Sequence, residues 1–359
     1  MSERKEDPKL IALRESGAKT YSISKLNTMD QCPYQAYLNY VLHTKQKNES
    51  IYGRLGTKVH DTVEAYVHGD AKNEDIKTAI QNELADLEMF GIDFPTSRDG
   101  SSSIRDNWVA NMNRFAEEFS FDTSQRTITE KLLLYKIDND HFMMGYVDAF
   151  ILNNDGTVSV IDWKTSSNFD KAHLLSAGRQ LIVYKLALEQ SGYTVRNCKW
   201  CMLKYCETTW IQKNGKPKSK VSEWRNLIKD MQTTIEKALA DLGYDETDIE
   251  CYITSGLQEN SWSVFPKEIQ EKFDTHVYFR DYDITPELID ECKAYIEENM
   301  SKFESFGEDE INYVPCDVAK NSYFCTTLCG YGGKSGQCKF YVDYCEKFED
   351  KKDEFDDLF

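Results

Sequence analysis

Three β-rich runs follow one another almost without pause: "TITEKLLLYKID" (127–138), "HFMMGYVDAFIL" (141–152) and "TVSVIDWKT" (157–165). Only Asn139-Asp140 and the turn sequence "NNDG" (153–156) separate them. Connections this short leave no room for a crossover, so the runs must pair as neighbouring antiparallel strands. Helical periodicity precedes them, and a helix over 171–191 and a fourth β-rich run, "CKWCMLKYCETTW" (198–210), follow. A helix, three antiparallel strands, a helix and a strand specify a mixed α/β core, a sheet flanked by helices. A chain of 359 residues can hold one large domain or two ordinary ones.

Around that core, "TYSISKLNTMDQCPYQAYLNYVL" (20–42) predicts a short extended segment and then a helix starting near Ser24 or Asn27 and carrying Tyr37 and Leu38. Residues 53–69 predict a helix with Val59, Val63 and Tyr66 as its apolar stripe and Gly69 as its stop. Residues 73–120 read as amphipathic helix broken by "DFPTSRDGSSS". Beyond the core, 222–242 and 285–305 read as acidic helices around a less regular middle, and 311–345 is cysteine-rich with little periodicity. The resulting division is a core over 21–220 with a helical insertion near 73–120, an acidic, mainly helical accessory region over 221–310, a cysteine-rich segment over 311–345 and an acidic tail over 346–359, expected to be disordered.

The net charge of −18 weakens non-specific attraction to phosphates. Its location matters more than its size. Residues 221–310 carry 23 acidic side chains against 8 basic ones, and the tail 7 against 3, so the rest of the chain is nearly neutral and free to form a local basic groove. The charged N-terminus has no apolar signal region, and no apolar run reaches bilayer-spanning length. A cytoplasmic protein without membrane contact is expected. Eleven cysteines in such a protein point to metal ligation or buried thiols rather than disulfides.

The polar residues of the core fall at informative places. Asp148 and Asp162 stand fourteen residues apart on adjacent antiparallel strands, where they can lie side by side. Two such carboxylates repel unless a divalent cation neutralises them. Asp162 and Lys164, two apart, project from one face of their strand, and Trp163 from the other. His60 and Glu64 share a helical face before the strands, as Gln180 and Tyr184 do after them.

Gly56, His60 and Glu64, then Gly145 and Asp148, then Asp162 and Lys164, then Gln180 and Tyr184 form an ordered set that resembles the RecB-like branch of the PD-(D/E)XK nucleases over about 21–205 plus the cysteine-rich end. The resemblance implies a PD-(D/E)XK restriction-endonuclease-like fold and Mg²⁺- or Mn²⁺-dependent phosphodiester hydrolysis. It implies metal ligation by Asp148 and Asp162 with His60 and the Trp163 carbonyl, and Glu130 matches a further acidic position. Lys164 would orient the attacking water, and Gln180 and Tyr184 would position the DNA backbone or the lysine.

In several RecB-like nucleases, including AddB and the CRISPR-associated adaptation nuclease, an early cysteine before "PY" joins three late ones around a [4Fe–4S] cluster. "CPYQAY" matches that early position, which implies Cys32, Cys325, Cys329 and Cys338 as ligands, with Cys345 as the replacement. The late spacing, C-x₃-C-x₈-C, departs from the usual C-x₂-C-x₅-C. Four thiolates suit Zn²⁺ as well as Fe–S. "CKWCMLKYC" holds a C-x-x-C, but on a strand those two thiols face opposite sides. "GGKSG" (332–336) lacks the glycine of a Walker A loop, since Leu328 stands there.

A DNA exonuclease acting on single strands or ends in replication, recombination or repair is the expected activity. A DNA-end-binding or recombination-complex subunit and a CRISPR-type spacer-processing nuclease are the alternatives. The tail could dock a replication or recombination protein.

Overall fold

The computed structural model describes residues 7–47, 50–97, 100–122 and 124–356. The chain opens with α1 (Pro8–Glu15), β1 (Lys19–Tyr21), α2 (Ile23–Gln31), α3 (Pro33–Tyr40), α4 (Ile51–His68), α5 (Asn73–Met89) and α6 (Ser103–Glu118). Then come β2 (Thr127–Lys136), β3 (His141–Leu152), β4 (Thr157–Lys164), α7 (Lys171–Gln190), β5 (Thr194–Ile211) and β6 (Pro217–Glu223). The last part holds α8 (Leu227–Asp241), α9 (Glu246–Glu259), α10 (Lys267–Lys272), β7 (Asp274–Tyr282), α11 (Pro286–Phe306) and α12 (Lys339–Asp356). Local chemistry sets the boundaries: α4 ends on Gly69 in the left-handed region (φ 81°), and the Asp170 carboxylate caps α7 by accepting from the His173 N–H.

The strands form one mixed sheet in which β3 pairs antiparallel with β2 and β4, and β4 runs parallel to β5. Strand β5 outruns β4, and its far half pairs with β6. Helices cover both faces. One core gathers Val59, Val63, Trp108, Phe115, Trp163 and Ile235 from α4, α6, β4 and α8, with Trp224 from the short helical turn before α8. The other gathers Leu26, Val160, Leu181, Tyr184, Trp200 and Ile296 from α2, β4, α7, β5 and α11. A smaller third core joins α2 and α3 to the cysteine-rich segment through Tyr34, Tyr37, Tyr313 and Tyr331. Among the described residues, no helix is long and apolar enough to cross a membrane.

Several sequence expectations need correction. The single helix expected over Ser24–Leu38 is two, broken at Cys32, whose backbone is extended (φ −158°, ψ 100°). Pro33 is the cause: it disfavours helical geometry in the residue before it and suits the first turn of the next helix. The 221–310 region, expected as an acidic, mainly helical accessory region, also supplies β7, which pairs antiparallel with β5, and α11, which packs into the second core. Helix α12 carries the tail expected to be disordered on to Asp356, and its final Leu358-Phe359 lie outside the described residues.

Candidate active site

The residues singled out in the sequence meet at the end of β4, between α4 and α7. Lys164 Nζ lies 2.6 Å from Asp162 Oδ2 and donates to Gln180 Oε1 (3.2 Å). Gln180 Nε2 donates to the Tyr184 hydroxyl (2.7 Å), which donates to the Tyr146 carbonyl (2.6 Å). Gln180 and Tyr184 therefore hold the lysine rather than line an open surface. On the other side, His60 Nδ1 stands 3.7 Å from Asp148 Oδ1, and Asp148 Oδ2 accepts from the Trp163 N–H at 2.7 Å. The Trp163 ring is buried in the first core, as its place between Asp162 and Lys164 requires. Glu64 turns away from this group and accepts from Thr129 Oγ1 (2.7 Å) beside His68.

Asp148 reaches the site through a defect in its strand. Val147 belongs to the second core and Ala149 to the first, so the two-residue alternation fails at Asp148. Opposite the defect, between the pairs Thr129–Ala149 and Lys131–Val147, Glu130 takes φ 48°. A left-handed backbone at a non-glycine residue within a strand is strained, and such strain collects at functional sites. The half-buried Glu130 carboxylate lies near enough to act electrostatically on the Tyr184 hydroxyl.

Charge is concentrated here with little solvent. Asp162 is 1% exposed, and neither of its oxygens has a hydrogen-bond partner of good geometry. Burial, and then the like charge of Asp148, push its carboxyl up to about 6, against the pull of Lys164 and His60. Burial opposes the Lys164 ammonium, but Asp162 and then Asp148 outweigh it and raise its pKa. His60 follows the same logic: burial acts against its protonation, and Asp148 and then Asp162 prevail. Among the described residues, no three His, Cys, Asp or Glu side chains converge as a ready metal site, and the Lys164 ammonium is what neutralises Asp162 here. The donor set nevertheless suits a hard divalent cation: two adjacent carboxylates, one of them buried with the Lys164 ammonium as its neighbour, beside an imidazole.

Gly145 is required by Tyr184. A Cβ at this position would sit 2.8 Å from Tyr184 Cε1. Gly145→Ala is expected to displace that ring, loosen the Tyr184–Gln180–Lys164 chain and lower any hydrolytic rate by ~10–100-fold, in line with the cost of a misplaced positioning group. Steady-state rates of the purified variant check this.

At the far side of α3, Cys32, Cys316, Cys325, Cys329 and Cys338 line one buried cavity. Cys316 Sγ is 3.8 Å from Cys325 Sγ, and its backbone N–H donates to Cys32 Sγ at 3.4 Å. Burial, then the neighbouring thiols Cys32 and Cys325, push the Cys316 pKa up. A cation would relieve that crowding by taking thiolates as ligands. Gly332 closes the wall so tightly that a Cβ would fall 1.9 Å from the Cys325 carbonyl oxygen. Cys345 is not among the lining residues; Cys316, which the sequence pattern did not select, is. The available signal was symmetric spacing, eight residues separating Cys316 from Cys325 and Cys329 from Cys338. Of the C-x-x-C pair on β5, Cys198 belongs to one core and Cys201 to the other.

Compared with known proteins, the chain has no significant match among curated sequences. A sequence model of the PD-(D/E)XK nuclease superfamily, whose members are phosphodiesterase nucleases, matches residues 20–252. That span contains His60, Glu130, Asp148, Asp162, Lys164, Gln180 and Tyr184 and most of the sheet, and the chain belongs to the PD-(D/E)XK nuclease superfamily.

Proposed function

We propose that this protein is a RecB-like DNA exonuclease that acts on single strands or DNA ends during replication, recombination or repair. The observation that carries the nuclease assignment is the Asp148/Asp162 pair, Asp162 fully buried, with Lys164 fixed between Asp162 and Gln180. Asp148 and Asp162 would hold Mg²⁺ or Mn²⁺, helped by His60, the Trp163 carbonyl and Glu130, and the ion would supply a more acidic water and offset phosphate charge. The water oxygen would bond to phosphorus and the P–O bond to the leaving nucleotide would break, one water proton passing to solvent and the leaving oxygen taking one up from it. Lys164, kept protonated by the two carboxylates, stabilises the charge that grows on the phosphoryl oxygens. Gln180 and Tyr184 fix its ammonium in position.

The preference for ends and single strands rests on the RecB-like resemblance, as does the [4Fe–4S] cluster. The five-thiol cavity supports the cluster, since an iron–sulfur cluster takes four cysteine thiolates as its ligands. Four of the five would serve as ligands, Cys32 tying α3 to the C-terminal segment.

Anaerobically purified protein, incubated with 5′- or 3′-labelled single- and double-stranded DNA, is expected to release label with Mg²⁺ or Mn²⁺ and not with EDTA. A covalently closed single-stranded circle should survive. Cutting of the circle would remove the exonuclease assignment, and loss of no substrate under any metal would remove the nuclease assignment.

A further inference from the structure

A cleft of about 590 Å³ opens beside Lys164, and the catalytic groups do not account for it. Tyr52, Thr165, Ser166, Ser167, Lys204 and Arg225 are among its lining residues. We propose that it is a subsite for the backbone phosphate of the DNA strand next to the scissile one, with Lys204 as the principal contact. This deepens the nuclease reading and rests on it for the identity of the ligand.

Position is the first argument. Thr165, Ser166 and Ser167 directly follow Lys164, so the cleft begins where the reacting phosphate would lie. Its other wall is α4, where Gly53 and Gly56 share a face with His60 at i, i+3 and i+7. Thr165 Oγ1 would lie only 3.5 Å from a Cβ at Gly56, so the helix and the segment after Lys164 run in close contact.

The second argument is how Lys204 comes to be there. Strand β5 loses its regular register against β7 between Met202 and Cys206. Leu203 and Cys206, three apart, both point into the first core, so the side-chain alternation has shifted between them. Lys204 falls within this irregularity and is turned into the cleft, as bulges beside active sites commonly re-aim a side chain.

The third argument is chemical. Burial lowers the Lys204 pKa, so its ammonium is partly stripped of water. Its hydrogen-bond partner is Ser167 Oγ at a long 3.5 Å, and it forms no ion pair among the described residues. The acid that faces it, Glu223, is already engaged with Arg225 Nε (2.6 Å) and Asn111 Nδ2 (3.0 Å). A half-desolvated cation without its own counter-ion, in a cleft that three hydroxyls also line, suits a phosphate oxygen and carries no base specificity. Half-buried Tyr52, which packs against Phe94, adds an aromatic side chain to the same wall.

The test is equilibrium binding of a fluorescent single-stranded oligonucleotide to the full-length protein in EDTA, across a salt series. Lys204→Ala is expected to weaken binding ~10-fold at low salt and to reduce the slope of log K against log salt by about 0.7, the single-strand value for one phosphate contact. Lys204→Arg should recover most of the loss, and unchanged melting temperatures would show that both variants fold. Unchanged affinity and slope in Lys204→Ala would overturn the proposal, and so would a wild-type protein that does not bind the oligonucleotide. The nuclease reading fails separately: a wild type that binds but never cuts removes it, while a Lys204 effect on binding would still support the subsite.

Discussion

Asp162→Asn is expected to abolish metal-dependent cleavage, by ~10³-fold or more, since the acidified water and the charge compensation at phosphorus depend on that carboxylate. The same substitution is expected to stabilise the metal-free protein near neutral pH. In the wild type the Asp162 carboxyl is buried next to Asp148, and its pKa is raised from 3.8 to about 6. A raised acid pKa means that the folded state holds its proton longer than the unfolded chain does. The penalty is absent below about pH 4 and complete above about pH 6, where the buried group must ionise. His60 adds to the trend: its raised pKa contributes stability below 6.5 that is lost as pH rises through the folded value. The difference in melting temperature between Asp162→Asn and wild type, measured in EDTA, should therefore widen in favour of the variant from about pH 4 to about pH 7. Adding Mg²⁺ or Mn²⁺ should raise the wild-type curve and leave the variant's unmoved. Parallel curves at every pH would show that Asp162 is not the strained group of the site.

Cys32→Ser should have the largest effect on stability. The wild type, purified without oxygen, is expected to contain iron and sulfide; Cys32→Ser and Cys325→Ser should lose both, and Cys345→Ser should retain them. A link from Cys32 to Cys325 closes a loop of nearly three hundred residues, and by chain entropy a tie of that span contributes on the order of 5 kcal/mol. That is a large share of the roughly 5–15 kcal/mol that holds an ordinary domain folded. The loss should appear in thermal unfolding as an early transition confined to the lobe built from α3 and residues 313–345. Iron retained in Cys32→Ser would remove this cysteine from the ligand set.

Much of this was legible because it depends on local periodicity. The strands around "NNDG" could only be neighbours, and the spacing of Asp162 and Lys164 put them on one face with Trp163 behind them. What escaped depends on interruptions of periodicity or on distant partners. The shift at Asp148 arises from the backbone of Glu130 on the facing strand, and nothing in "GYVDAF" announces it. Strand β7 pairs with β5 across some seventy residues of chain, and acidic sequence on both sides masks its "VYF" core. Lys204 reads as one of many lysines until the irregularity in β5 turns it inward. Cys316 lay within sight, but a four-ligand pattern gives no reason to choose a fifth.

The third core, where residues 29–38 pack against 303–340, has a consequence for how the chain is made. Its contacts join segments nearly three hundred residues apart, so it adds heavily to contact order and cannot begin to form until residues 303–340 have been made. The catalytic strands can pair much earlier. During that interval Met29, Tyr34 and Tyr37 lack their partners from 303–340, and the nascent chain carries a sticky apolar surface that only this distant segment covers.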